Sequence, residues 1–163
     1  MLEVREKVCP FHYCSAVLAG LPDYLTRRLQ KVLNAGARLI YNAQFFTPTT
    51  PLLKPLHSLP MQQRISFRLS SLVFNCLRGT APPYLAQQLT PVSHMKARTH
   101  LRSASNNTLD VPSTQTKTIG PRAFSVSAPR AWNRTPSTIR RASNLRSFKK
   151  ALKTFLFCDA FPT

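Results

Sequence analysis

A chain of 163 residues in which 43% are apolar is long enough to close one modest core and too short for several domains. Its 23 Lys and Arg face only five acids, Glu3, Glu6, Asp23, Asp110 and Asp159, giving a formal net charge of +18, and no carboxylate lies between Asp23 and Asp110. Two-metal nucleotidyl transfer and glycoside hydrolysis need clustered carboxylates, so this composition speaks against polymerase, nuclease and glycosidase chemistry and leaves the cations to find solvent or an outside polyanion.

In chain order, Leu25, Leu29, Val32, Leu33, Gly36, Leu39 and Ile40 recur at helical spacing from Asp23 to about Ala43. Asp23 follows Pro22 and is placed to cap this helix, with Arg27, Arg28, Lys31 and Arg38 largely off the apolar stripe. Thr50-Pro51 predicts a short helix to about Leu56 carrying Leu52, Leu53 and Leu56, closed by Leu59-Pro60. Ile65, Leu69, Leu72, Val73, Cys76 and Leu77 then mark a helix from Pro60 to Arg78, stopped by Gly79 in a left-handed C-terminal position. Pro82-Pro83 opens a further short helix through Tyr84, Leu85 and Leu89, and Pro91 ends it. From about Ser93 to Thr118 periodicity disappears into Ser, Thr, Asn, Arg and Lys, with Leu101, Leu109 and Val111 as isolated anchors, the pattern of a flexible basic loop. Phe124, Val126 and Ala128 alternate with Ser125 and Ser127, which predicts a brief strand able to pair with Leu109 to Pro112 as a β-hairpin. A last helix is capped at Ser143, with Leu145, Phe148, Leu152, Phe155 and Leu156 on one side and Arg146, Lys149, Lys150 and Lys153 mostly on the other.

No phosphate-cradling loop can be written with glycines only at Gly20, Gly36, Gly79 and Gly120, and His12, His57, His94 and His100 sit in no hydrolytic motif. Cys9, His12 and Cys14 are close in sequence but lack the C-x2-C spacing, so they read as ordinary thiols and imidazole rather than zinc ligands, with Cys14 and Cys76 filling the core. Trp132 among Phe124, Val126 and Ile139 reads as a core anchor rather than a base-stacking surface. No apolar run of the roughly 18 residues needed to span a bilayer is present, and the opening MLEVREKVCP fits neither a secretory signal nor a transit peptide. The expected setting is intracellular, nuclear or cytoplasmic, with reduced cysteines.

The residues also carry an ordered resemblance. Tyr13-Cys14-Ser15-Ala16-Val17-Leu18-Ala19-Gly20-Leu21-Pro22, Leu29-Gln30-Lys31-Val32-Leu33-Asn34-Ala35-Gly36-Ala37-Arg38-Leu39-Ile40, Leu56-His57-Ser58-Leu59-Pro60 with Arg64-Ile65, and Leu77-Arg78-Gly79-Thr80-Ala81-Pro82-Pro83-Tyr84-Leu85 come first. Leu101-Arg102-Ser103, Arg122-Ala123-Phe124-Ser125-Val126, Ala128-Pro129-Arg130-Ala131-Trp132-Asn133 and Ser147-Phe148-Lys149-Lys150-Ala151-Leu152-Lys153-Thr154 follow. In this order they resemble the C-terminal, thumb and post-thumb region of reverse transcriptases from non-LTR retrotransposons, the long interspersed elements. The resemblance spans about residues 13 to 157 and implies a part of the parent that grips RNA and target DNA, without the F/Y-x-D-D polymerase motif or the endonuclease. The chain also departs from the family pattern: Ser58 stands for Trp, Pro121 for an acid, and Arg134-Thr135-Pro136 for Ser-Leu-Pro, which puts Thr135 in place of a Leu in a buried motif.

Taken together, the sequence predicts a mainly α, small multi-helix domain with a basic loop and one short β-hairpin. Residues 1–12 are an unmatched extension, 13–91 a helical layer, 92–118 the basic loop, 119–157 a strand-plus-helix unit and 158–163 a tail, one domain in all. The expected function is non-catalytic, low-specificity binding to the RNA or DNA backbone, with no cofactor, metal, membrane or small-molecule substrate and no protein partner indicated. Thirteen Lys and Arg against the single Asp110 over residues 96–153 favour this over a merely solvated face. The phosphate-contacting candidates are Arg27, Arg28, Lys31, Arg98, Arg102, Arg140, Arg141, Arg146, Lys149, Lys150 and Lys153. The alternative is a translated genomic fossil with no molecular function.

Overall fold

Prolines set the helix starts. A computed structural model describes residues 15–95 and 107–162. In it α1 spans Asp23–Ile40, α2 Thr50–Leu53, α3 Met61–Leu77, α4 Pro83–Ala86, α5 Phe124–Arg134, α6 Ser137–Arg140 and α7 Leu145–Ala160. Pro22, Pro60, Pro82 and Pro136 occupy the residue just before α1, α3, α4 and α6. A proline there loses nothing by lacking an N–H, and its ring keeps the preceding residue extended. Asp23 is therefore in the first turn of α1 and not its cap, and makes no capping hydrogen bond. In α7 the cap is Asn144, one residue beyond the expected Ser143, with its side chain accepting from the Ser147 N–H at 2.8 Å.

Three helical segments end alike. At Asn42, His57 and Gly79 the chain turns left-handed, with φ of 48°, 49° and 69°. Each is flanked by the same bond pair: Asn42 N–H to Leu39 O and Ala43 N–H to Arg38 O after α1, His57 N–H to Lys54 O and Ser58 N–H to Leu53 O after α2, and Gly79 N–H to Cys76 O and Thr80 N–H to Asn75 O after α3. This is the Schellman closure, which satisfies the last orphan carbonyls.

The centre of the fold is α3. Met61, Ile65, Leu69, Val73 and Cys76 bury one face, and Ser70, Ser71 and Phe74 widen it, because α1, α5, α7 and the 3-10 turn Ser15–Leu18 all pack on this helix. Where α3, α5 and α7 meet, Phe74 stacks on Phe148 with ring centroids 4.5 Å apart, and Trp132 approaches Phe148 at 5.6 Å. A ring buried in this way contributes about 1.5–3 kcal/mol by area, and each aromatic pair adds about 0.5–1.5 kcal/mol. A smaller cluster of Ala37, Leu53 and Phe161 joins α1, α2 and the end of α7.

The expected hairpin does not form. Phe124 to Ala128 belong to α5, because Phe124, Ala128 and Trp132 fall four residues apart and reach α3 together only as a helix; five alternating residues are too few to fix the period. Pro129 is buried within α5. Leu109 pairs elsewhere: the only β contact among the described residues is an antiparallel bridge to Pro91, closed by Val92 N–H to Thr108 O and Asp110 N–H to Thr90 O. The Asn133 amide completes the hold, its Oδ1 accepting from Leu109 N–H at 3.0 Å and its Nδ2 donating to Leu109 O at 2.7 Å.

The hydroxyls of Thr135 and Ser58 are both taken up by hydrogen bonds. Thr135, 3% exposed, donates its hydroxyl to Ala131 O at 3.3 Å, and Ser58 Oγ accepts from Arg64 Nη2 at 2.6 Å. Hydroxyls satisfied in this way escape most of the penalty of a buried polar group.

Gly20 turns the chain into α1 at φ 67°, and a Cβ there would come within 2.8 Å of Arg122 Cγ and 3.3 Å of Arg122 Cα. Gly79 has a similar φ, with open space around it. Both Gly→Ala variants should lose about 1–2 kcal/mol from the left-handed backbone. Gly20→Ala should lose more, because the Gly120–Arg122 turn must also move. Urea midpoints of the two variants check this, and equal midpoints would refute the close approach.

Candidate nucleic-acid interface

With so few carboxylates to pair with, an arginine in this chain has a third destination besides solvent and an outside anion: a main-chain carbonyl. Arg38 donates from Nε and Nη2 to Thr47 O, both at 3.1 Å. Arg64 donates from Nε to Leu59 O at 2.7 Å. Arg78 reaches Ala142 O at 2.7 Å while its guanidinium lies 5.3 Å from the Phe74 ring centroid. These side chains tie loops to helices, and part of the positive charge is spent inside the fold.

Arg140 belongs to the same group and not among the phosphate contacts expected of it. It is 8% exposed, donates from Nη1 to Asn107 O at 3.2 Å, and leaves its buried Nε without a partner. Burial, with the adjacent Arg141 charge adding to it, pulls its guanidinium below the ordinary arginine range. A side chain committed in this way cannot swing out to a phosphate without leaving the Asn107 carbonyl to Trp132 Nε1 alone, which donates to it at 2.6 Å.

Of the other described candidates, all but Arg141 divide between two helices. Arg27, Arg28 and Lys31 are exposed on α1, on the arc opposite Leu33 and Ala37. On α7, Arg146, Lys150 and Lys153 recur at i, i+4 and i+7 as one exposed stripe opposite the buried Phe148, Leu152 and Leu156, and Lys149 is half-buried at its margin. Arg141 is exposed just before α7. Arg98 and Arg102 lie outside the described residues, as do Cys9, His12 and Cys14. Both helices pack on α3, so the two cation rows are carried by one core.

Sequence reasoning missed Arg130 and Arg134, exposed one turn apart on α5 at the rim of a cleft of 280 Å³ that Gln62, Ser127 and Asp159 also line. Their i, i+4 spacing was the available signal, hidden by reading the start of this segment as a strand. Among the described residues no group of three His, Cys, Asp or Glu side chains is placed to hold a metal ion, and no helix is long and apolar enough to cross a membrane. Trp132, 1% exposed, is a core residue and presents no face to a base.

Cys76 is buried and Cys158 exposed, both as free thiols. Burial pushes the Cys76 thiol up, against a smaller downward pull from a backbone hydrogen bond. Alkylation near pH 8, followed by peptide mass spectrometry, should therefore label Cys158 well before Cys76, which becomes reactive on unfolding. Equal rates in the folded chain would contradict the burial of Cys76.

Comparison with known proteins returns nothing: no family model, no curated protein and no solved structure matches this chain significantly.

Proposed function

We propose that this chain is a non-catalytic, low-specificity nucleic-acid-binding protein, derived from the C-terminal region of a non-LTR retrotransposon reverse transcriptase, which grips the sugar-phosphate backbone of RNA or DNA. The observation that carries the reading is the pair of exposed cation rows, Arg27, Arg28 and Lys31 on α1 and Arg146, Lys150 and Lys153 on α7, on a chain of net charge +18. Phosphates held by such rows release condensed counterions, which drives association whatever the base sequence. The motif resemblance supports the same reading, since it implies a region that holds template and target.

The test is fluorescence anisotropy at 50 mM salt with labelled RNA and DNA oligonucleotides of unrelated sequence, beside vesicles of matched anionic charge. Submicromolar binding that varies less than about threefold between sequences is the expected result, because backbone contacts carry no base information. Failure to bind any oligonucleotide would overturn the reading and favour a chain without molecular function. Tighter binding to vesicles than to oligonucleotides would make the partner a membrane surface.

A further inference from the structure

The surface feature that the cation rows leave unexplained is apolar and lies at the C-terminal end of α1 and just beyond it. Leu39, Ile40, Tyr41, Phe45 and Phe46 are all exposed, Leu39 by 84%, Phe45 by 77% and Phe46 by 90%. A concentration of large apolar groups open to water marks a place that something covers. The segment that carries the rings is firmly built. Asn42 closes α1, Arg38 holds the Thr47 carbonyl, the Arg38 guanidinium lies 5.6 Å from the Phe45 ring centroid, and Phe45 meets Phe46 edge to face with centroids 5.3 Å apart.

We propose that Phe45 and Phe46 are a stacking platform for unpaired bases, so that the chain holds single-stranded nucleic acid in preference to duplex. This rests on the nucleic-acid reading above and narrows it to one strand state. Charge selects the occupant. Arg27, Arg28 and Lys31 are exposed on the helix that leads to the rings, and no carboxylate occurs from residue 24 to 109. The core of a protein–protein interface is depleted in charged residues, lysine among them though not arginine. Exposed cations on the helix that leads into open aromatic rings, with no carboxylate between them, instead match the composition of a single-strand groove, in which phosphates track the cations and every base has a face to stack. A duplex keeps its bases stacked on one another and offers the rings nothing.

The experiment compares the full chain with the Phe45→Ala/Phe46→Ala variant on a labelled oligo-dT and a hairpin duplex of equal charge at 150 mM salt. The variant should lose roughly tenfold or more in affinity for the single strand and less than about threefold for the duplex, with its salt slope unchanged. Phe46→Trp supplies a second readout, since Trp132 is buried and a tryptophan at position 46 is exposed: oligo-dT should quench its emission, and the hairpin should not. Equal losses on both ligands, or no quenching, overturn the platform while leaving backbone binding intact. A wild-type chain that binds neither ligand overturns the parent reading as well. Self-association of the wild type in sedimentation, abolished in the double variant, would assign the face to a second copy and overturn the platform.

Discussion

Trp132→Ala is expected to lower the unfolding free energy by about 3–5 kcal/mol, the range for deleting a large buried aromatic ring. The indole is 1% exposed, packs 5.6 Å from the Phe148 ring, and its Nε1 donates to Asn107 O. Removing it opens a cavity where α3, α5 and α7 meet and withdraws one of the two donors, Trp132 on α5 and Arg140 on α6, that hold the Asn107 carbonyl. Against total stabilities of about 5–15 kcal/mol for small domains, that loss is about a fifth or more. Urea unfolding followed by circular dichroism at 222 nm checks it, because the signal does not depend on the indole. Trp132→Phe, which keeps most of the packing and loses the hydrogen bond, should fall between the two. A midpoint for Trp132→Ala equal to wild type would remove α5 from the core.

The largest expected effect on binding comes from reversing the α7 stripe. Arg146→Glu, Lys150→Glu and Lys153→Glu together remove three exposed cations from one face while leaving Phe148, Leu152 and Leu156 in place. The slope of log affinity against log salt should fall by about 2–3 units, and affinity at 0.1 M salt should drop on the order of a hundredfold. Folding should survive, since a glutamate at position 146 lies in the first turn, where a negative charge suits the helix dipole. An unchanged slope in a variant with a normal unfolding transition would move the interface off α7.

Where the sequence was legible, one strong pattern decided the outcome. The α3 stripe from Ile65 to Cys76 is long enough to fix its period, and Gly79 stops it as expected. The α7 stripe is equally plain because its two faces differ in charge. Phe124 to Ala128 failed as a strand because five residues are too few to tell a period of 2 from one of 3.6, and because the partner assigned to it, Leu109, is held by Pro91 and Asn133. On α1 the spacing of Val32 and Leu39 matched the apolar stripe, yet both are exposed, since the packed arc is centred on Leu33 and Ala37. The site divided along the same line. Exposed cations on long helices could be read from periodicity, whereas Arg38, Arg64, Arg78 and Arg140 could not be separated from them, because their carbonyl partners lie 9, 5, 64 and 33 residues away and carry no sequence signature. The exposure of Phe45 and Phe46 was likewise invisible, as nothing local distinguishes a buried Phe-Phe pair from an open one.

A salt titration of the wild-type chain against one labelled oligonucleotide probes the central claim most directly. With Arg27, Arg28, Lys31, Arg146, Lys150 and Lys153 all engaged, log affinity should fall linearly with log salt at a slope of about −4.2 for a single strand to about −5.4 for a duplex, a loss of roughly 300- to 2,000-fold between 50 and 200 mM. Affinity that stays flat across that range, or no binding at 50 mM, contradicts the account.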